Sequence, residues 1–138
     1  MKFLGFDRVL CISPHPDDVE YSMMGTILKN LDTKFVVLNL CQGGDMDSTT
    51  GKNRLAEVHK VWGSPPNVDL KFTDYKFMRA LREEEWINLI EQHMENELFD
   101  AICLPNECDS HFEHRFISKF GKALVRSQPT ALIQYKTP

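Results

Sequence analysis

The stretch Val9-Leu10-Cys11-Ile12 constrains this chain more than any other. It is a short apolar run of the kind expected of a strand buried on both faces, and it stops abruptly at Pro14-His15-Pro16. Prolines cannot donate to a sheet ladder and hold the chain extended and turning. His15, Asp17 and Asp18 are therefore expected on a stiff loop just past a strand's carboxyl end, the edge where open parallel sheets place their ligands.

The same theme recurs along the chain. Lys34 to Leu40, centred on Phe35-Val36-Val37-Leu38, predicts a second buried strand that runs out into Cys41-Gln42-Gly43-Gly44-Asp45. Val68 to Phe72 predicts a short strand, Ala101-Ile102-Cys103-Leu104 another that breaks at Pro105, and Ala131 to Tyr135 a last one. Between them lie segments with helical spacing. Val19 to Leu31 has an apolar side of Met23, Met24, Ile27 and Leu28, and Lys52 to Trp62 carries Leu55, Val58 and Trp62 before Gly63-Ser64-Pro65-Pro66. Leu81 to Leu98 turns Trp86, Leu89, Ile90 and Met94 inward and leaves its glutamates in solvent, and a helix from Ser110 or His111 runs through Phe116, Phe120 and Val125. Alternation of strand and helix predicts an α/β fold, a single Rossmann-like domain with a mostly parallel sheet flanked by helices.

Composition narrows the partners. The 138 residues carry 16 basic and 20 acidic side chains, a formal net charge of -4, which argues against a nucleic-acid partner and for a small or polar substrate. Cys11, Cys41 and Cys103 lie in or beside apolar runs, Cys108 lies near a polar cluster, and no CxxC pair occurs. This is not a disulfide framework and favours a reducing compartment. The N-terminus lacks a signal peptide's apolar stretch and no run reaches transmembrane length, so a cytoplasmic protein is expected.

Two groups of ligand-type residues follow two buried strands: His15, Asp17 and Asp18 after the first, His111, Glu113 and His114 after the one at Ala101. His111 and His114 share a face if the segment is helical. His15, Asp18 and one of those histidines would supply two imidazoles and a carboxylate and leave a coordination position open, the composition of a catalytic zinc site. Zinc there would lower the pKa of a bound water towards ~7 and polarise a carbonyl oxygen. A nucleotide-binding Rossmann-type domain would fit the fold alone; it suffers from the absence of GxGxxG and from carboxylates placed where phosphates need donors.

These residues resemble the LmbE-like, or PIG-L-type, family of zinc-dependent N-deacetylases acting on N-acetylglucosamine derivatives. The resemblance rests on His15-Pro16-Asp17-Asp18-Val19-Glu20, on Gly25-Thr26-Ile27, on Arg54-x-x-Glu57, and on Asp109-Ser110-His111-Phe112-Glu113-His114-Arg115. It implies zinc bound by His15, Asp18 and His114, with Asp17 as general base and His111 near the developing oxyanion. Arg54, Asp74 and Glu113 would stand on the substrate side, Glu113 in a position usually held by aspartate. Two histidines and a carboxylate suit iron (Fe2+) as well. The expected reaction is removal of the N-acetyl group from a small amido sugar or glycoside, with release of acetate. Two departures stand out: Tyr21-Ser22-Met23-Met24 replaces a small, glycine-rich run, and chains of this family usually continue past the strand at Ala131. Residues 1–138 are thus expected to form one such domain lacking the usual C-terminal elements. A catalytically weak, zinc-containing sugar-binding or complex-forming protein is the alternative, and a homo-oligomer would fit a missing outer wall.

Overall fold

The computed structural model describes residues 1–42, 49–126, 128 and 130–137, with the side chains of 49–55 outside that description. The expected loop Gly43-Gly44-Asp45 and the side chain of Arg54 therefore lie outside the described residues. Five strands, β1 (Arg8–Ser13), β2 (Lys34–Asn39), β3 (Val68–Phe72), β4 (Ala101–Pro105) and β5 (Ala131–Tyr135), alternate with α1 (Asp18–Lys29), α2 (Thr49–Trp62), α3 (Glu83–Met94) and α4 (Phe112–Gly121). All strands pair in parallel in the order β3-β2-β1-β4-β5. This is the Rossmann-like α/β arrangement expected from the apolar runs.

Parallel crossovers cover both faces, so the central strands must be apolar on both. Val9 and Cys11 pack with Val19, Met23 and Ile27 of α1 and Val58 and Trp62 of α2. Leu10 and Ile12 point the other way, to Trp86, Ile90 and Met94 of α3 and Ile117 and Phe120 of α4. Each such side chain is worth about 1.5–3 kcal/mol when fully buried.

Helix bounds and faces depart from expectation in informative places. In α1 the buried line is Val19, Met23 and Ile27, whereas Leu28 is 44% exposed. Positions four apart stack on one face, and Leu28, one residue further round, falls on the flank. The segment after α3 leaves Leu98 80% exposed instead of extending the helix.

The order of strands fixes where a site can form. The chain steps outward from β1 through β2 to β3, then returns through α3 to β4 on the other side of β1. Beyond the carboxyl ends of β1 and β4 the loops diverge, which opens the crevice of a topological switch point.

Candidate metal centre

The loop after β1 is tied down on both sides. Leu40 and Cys41 donate their backbone N–H groups to the carbonyls of Ser13 (2.9 Å) and Pro14 (3.0 Å), while the Ser13 hydroxyl donates to the His15 carbonyl (2.7 Å). The His15 N–H donates to Asp18 Oδ2 at 2.9 Å, so the carboxylate is oriented from its own loop. Asp17, at the start of α1, has φ +100°, a left-handed backbone uncommon for a residue with a side chain. Its N–H donates to Glu20 Oε2 (3.1 Å), and Glu20 Oε1 accepts from Trp62 Nε1–H (2.8 Å). Burial raises the Glu20 carboxyl pKa above its ordinary value against these donors.

The loop after β4 is built from local side-chain turns. Asn106 Oδ1 accepts from the Cys108 N–H (2.8 Å) and Asp109 Oδ1 from the His111 N–H (2.9 Å). His111 is the N-cap of α4, its Nδ1 accepting from the Glu113 N–H at 3.1 Å. An accepting Nδ1 fixes the neutral tautomer and leaves the proton on Nε2. One turn on, His114 is buried.

The two loops meet at a trio. Asp18 Oδ2 lies 3.4 Å from His15 Nδ1 and 3.3 Å from His114 Nε2. Ligands held at ~2.0–2.1 Å around a tetrahedral ion stand about 3.3–3.4 Å apart. Donor types and spacing therefore fit a divalent cation. Each imidazole also has a carboxylate behind it: His15 Nε2 is 2.9 Å from Glu113 Oε1, and His114 Nδ1 is 3.1 Å from Asp109 Oδ2, within ion-pair distance though off the hydrogen-bond direction. Such outer carboxylates set tautomer and ring orientation at metal sites. A second trio of His15, His111 and Glu113 also has ligand atoms within 4.8 Å of one another, but His111 is exposed.

The electrostatics of the trio favour negative charge on its carboxylate. Burial pushes the Asp18 carboxyl up, and hydrogen bonds from His114 and His15 outweigh it, leaving it at about 2. Burial works against charge on both histidines, yet Asp18 with Glu113 raises His15 and Asp18 with Asp109 raises His114. His111 goes the other way, lowered by burial and by the neighbouring His114 and His15.

Of the sequence-derived site residues, His15, Asp17, Asp18, His111, Glu113 and His114 are thus brought to one edge of the sheet. His111 stacks on His114 at 4.7 Å between ring centroids, and a cavity of about 350 Å³ opens among Asp17, Asp18, Tyr21, His111 and His114. Glu113 is engaged at both oxygens, Oε1 with His15 and Oε2 with the Met78 N–H (3.1 Å). Asp74 is exposed on the loop after β3 and is not among the described residues lining that cavity. Asp109, the first residue of the motif that runs to Arg115, stands behind His114. Its signal was the aspartate two residues before a helix-capping histidine.

The fold and the trio define an α/β protein with a candidate open metal centre at the carboxyl edge of its sheet. The chain belongs to the PIG-L family, described as GlcNAc-PI de-N-acetylase, whose model matches residues 10–125. No curated protein sequence matches it. Among solved structures it is similar to the N,N'-diacetylchitobiose deacetylase from Pyrococcus horikoshii, at 22% identity and TM-score 0.75 over 90% of this chain and 51% of that one. It is also similar to a deacetylase of the teicoplanin biosynthesis pathway, at 11% identity and TM-score 0.78 over 94% of this chain and 67% of that one. The 4-carboxy-2-hydroxymuconate hydratase from Pseudomonas putida shares the fold too, at 11% identity and TM-score 0.72 over 86% and 55%. The chain spans about half the length of the diacetylchitobiose deacetylase. Among the described residues no helix is long and apolar enough to cross a membrane.

Proposed function

We propose that this chain is a metal-dependent hydrolase that removes the acetyl group from a small N-acetylglucosamine derivative, releasing acetate and the free amine. The observation that carries this reading is the trio His15, Asp18 and His114, with Asp18 Oδ2 at ligand spacing from each imidazole, beside a cavity that Asp17, Asp18 and His114 line. A divalent cation held by these three, zinc in the first place with Fe2+ fitting the same donors, would supply a nucleophilic water at neutral pH and polarise the acetamide carbonyl.

The chain's own residues would do the rest. Asp17 adjoins Asp18, but neighbouring side chains diverge, so its carboxylate would take the proton of the attacking water rather than a place on the cation. His111, with its proton on Nε2, donates to the carbonyl oxygen as charge develops there. The departing amine takes back the proton that Asp17 accepted from the water, so the bond to the acetyl carbon breaks as the amine becomes neutral and Asp17 returns to its carboxylate. Glu113 holds His15 from behind through Nε2, and Nδ1, on the Asp18 side, would serve the cation. Arg54, in the Arg-x-x-Glu motif, and Asp74 are proposed to contact the sugar.

Metal content and acetate release, measured on one sample against a panel of N-acetylglucosamine derivatives, test the reading. About one zinc or iron per chain with acetate release is expected. Asp17→Asn should keep the metal and lose most turnover, by about 100-fold or more; loss of metal instead would overturn the role of Asp17. Stoichiometric metal without release from any derivative would point to a sugar-binding protein.

A further inference from the structure

Asp17 has an uncommon backbone for its position. A helix N-cap ordinarily sits in the β region, yet Asp17 is left-handed at φ +100° and ψ -23°. Asparagine and aspartate visit that region more readily than other residues with a side chain, but as single residues fixed by local hydrogen bonds, so the partners of the Asp17 backbone decide whether it stays there. The Asp17 N–H donates to Glu20 Oε2, and Glu20 is itself fixed through Oε1 by the indole N–H of Trp62, the last residue of α2. Glu20 is 9% exposed and Trp62 5%, so solvent has little access to compete. Glutamate at the third helical position is ordinary capping. A tryptophan clamp reaching it across 42 residues of sequence is not.

We propose that Glu20, clamped by Trp62, is a positioning residue that keeps Asp17 in its left-handed backbone and so aims the Asp17 carboxylate into the metal cavity. The inference rests on the hydrolase reading for its catalytic consequence, while the clamp itself is a property of the folded chain. A carboxylate is acceptor-only and serves both donors. Glutamine at this position would turn an NH2 group towards one of them.

The test uses the full zinc-loaded chain and two variants, Glu20→Gln and Trp62→Phe, the second keeping ring bulk while removing the donor. Glu20→Gln is expected to lower kcat about tenfold to 100-fold, with KM within about twofold, because misplacing a reacting group costs rate rather than binding. Trp62→Phe should lower kcat by about threefold to tenfold. Zinc content should stay at about one per chain in both, and exchange of the Asp17 amide hydrogen should quicken about tenfold or more in Glu20→Gln. Unchanged kcat in both variants, or a fall in kcat that merely tracks lost zinc, would overturn the proposal. A wild-type chain releasing no acetate defeats the hydrolase reading. Amide exchange then decides alone: faster exchange at Asp17 in Glu20→Gln supports the clamp, and unchanged exchange overturns it.

Discussion

Replacing Glu113 by glutamine isolates what the outer carboxylate contributes to metal binding. Glu113 accepts from two donors at once, His15 Nε2–H at 2.9 Å and the Met78 N–H at 3.1 Å, and its side chain is 14% exposed. Glutamine offers one oxygen and one NH2 group, so one donor must face another donor. If the amide oxygen goes to Met78, His15 loses the partner that keeps its proton on Nε2 and its Nδ1 free for the cation. If the oxygen goes to His15, the Met78 N–H is left unpaired in a largely dry pocket, at about 1–3 kcal/mol. The first route weakens metal affinity, typically about 10–100-fold or roughly 1.4–2.7 kcal/mol, whereas the second is read as lost stability of the chain. The assay is zinc competition against a chromophoric chelator, with circular dichroism to establish that the variant is folded. Glu113→Asp separates charge from reach: it keeps the carboxylate but shortens the arm, and an intermediate loss is expected. A folded Glu113→Gln chain that binds zinc within about twofold of wild type and also unfolds at the wild-type temperature would refute the argument.

Three further outcomes follow from other parts of the molecule. Tyr135→Phe removes the buried hydroxyl that donates to the Ile12 carbonyl at 2.6 Å and ties β5 to the strand that feeds the site; a loss of about 1–2 kcal/mol is expected, read as a fall in Tm of about 3–8 °C, and an unchanged Tm would refute it. Cys108 is exposed while Cys11, Cys41 and Cys103 are buried, and burial pushes the Cys41 thiol up to about 12, so a chromogenic thiol reagent should titrate one fast cysteine in the folded chain and all four in denaturant. Because His15 and His114 have raised pKa values in the metal-free chain, protons should compete with zinc from above the ordinary imidazole value of ~6.5. Apparent zinc affinity should therefore fall as pH drops through that range, and the charged-histidine contribution to metal-free stability, present at lower pH, should be lost as pH rises through the raised values. A flat affinity between about pH 8 and pH 6 would count against imidazole ligands.

Strands were legible because crossovers bury both faces, which leaves runs such as Val9–Ile12 with no polar option, and Val68–Phe72 coincides with β3. Helix ends were less so. Helical spacing continues through Leu98, but α3 stops at Met94 without a glycine or proline to mark it. The end is capped from far away: the Gln128 amide donates to the carbonyls of Met94 (3.3 Å) and Glu97 (2.7 Å), a tertiary interaction that no local pattern reveals. The helix expected to run through Val125 instead changes character after Gly121, into a 3-10 segment at Lys122–Arg126. At Gly121 a Cβ would come within 2.6 Å of Leu104 Cδ1, so the absence of a side chain is what lets α4 lie against β4. The trio was legible for the same reason as the strands, since ligand-type residues just past two buried runs have few other places to go. The links from Glu113 to His15 and from Trp62 to Glu20 span 98 and 42 residues and become visible only in the folded chain.

The trio's geometry depends on very little of the chain. β1 and β4 are direct neighbours, paired at Val9↔Ala101, Leu10↔Ile102 and Cys11↔Cys103, so the register of two strands sets the separation of the loops that carry His15 and His114. Asp18 needs only the first turn of α1 to reach between them. A hydratase and deacetylases share this fold, so strand order alone cannot select a reaction. On the proposed reading selection falls to the side chains on the two loops: two imidazoles and a carboxylate at ligand spacing, the neighbouring Asp17 carboxylate, and a histidine whose proton is fixed on the outer nitrogen. If that division holds, Asp18→Asn should abolish metal binding while leaving the fold intact, because Val9–Ile12 and Ala101–Leu104 are buried by helices on both faces and owe nothing to the ion. Thermal unfolding of the metal-free variant within about 1–2 kcal/mol of metal-free wild type would support a scaffold and a site that are separable. Collapse of the variant would show instead that the Asp18 contacts hold the switch point together.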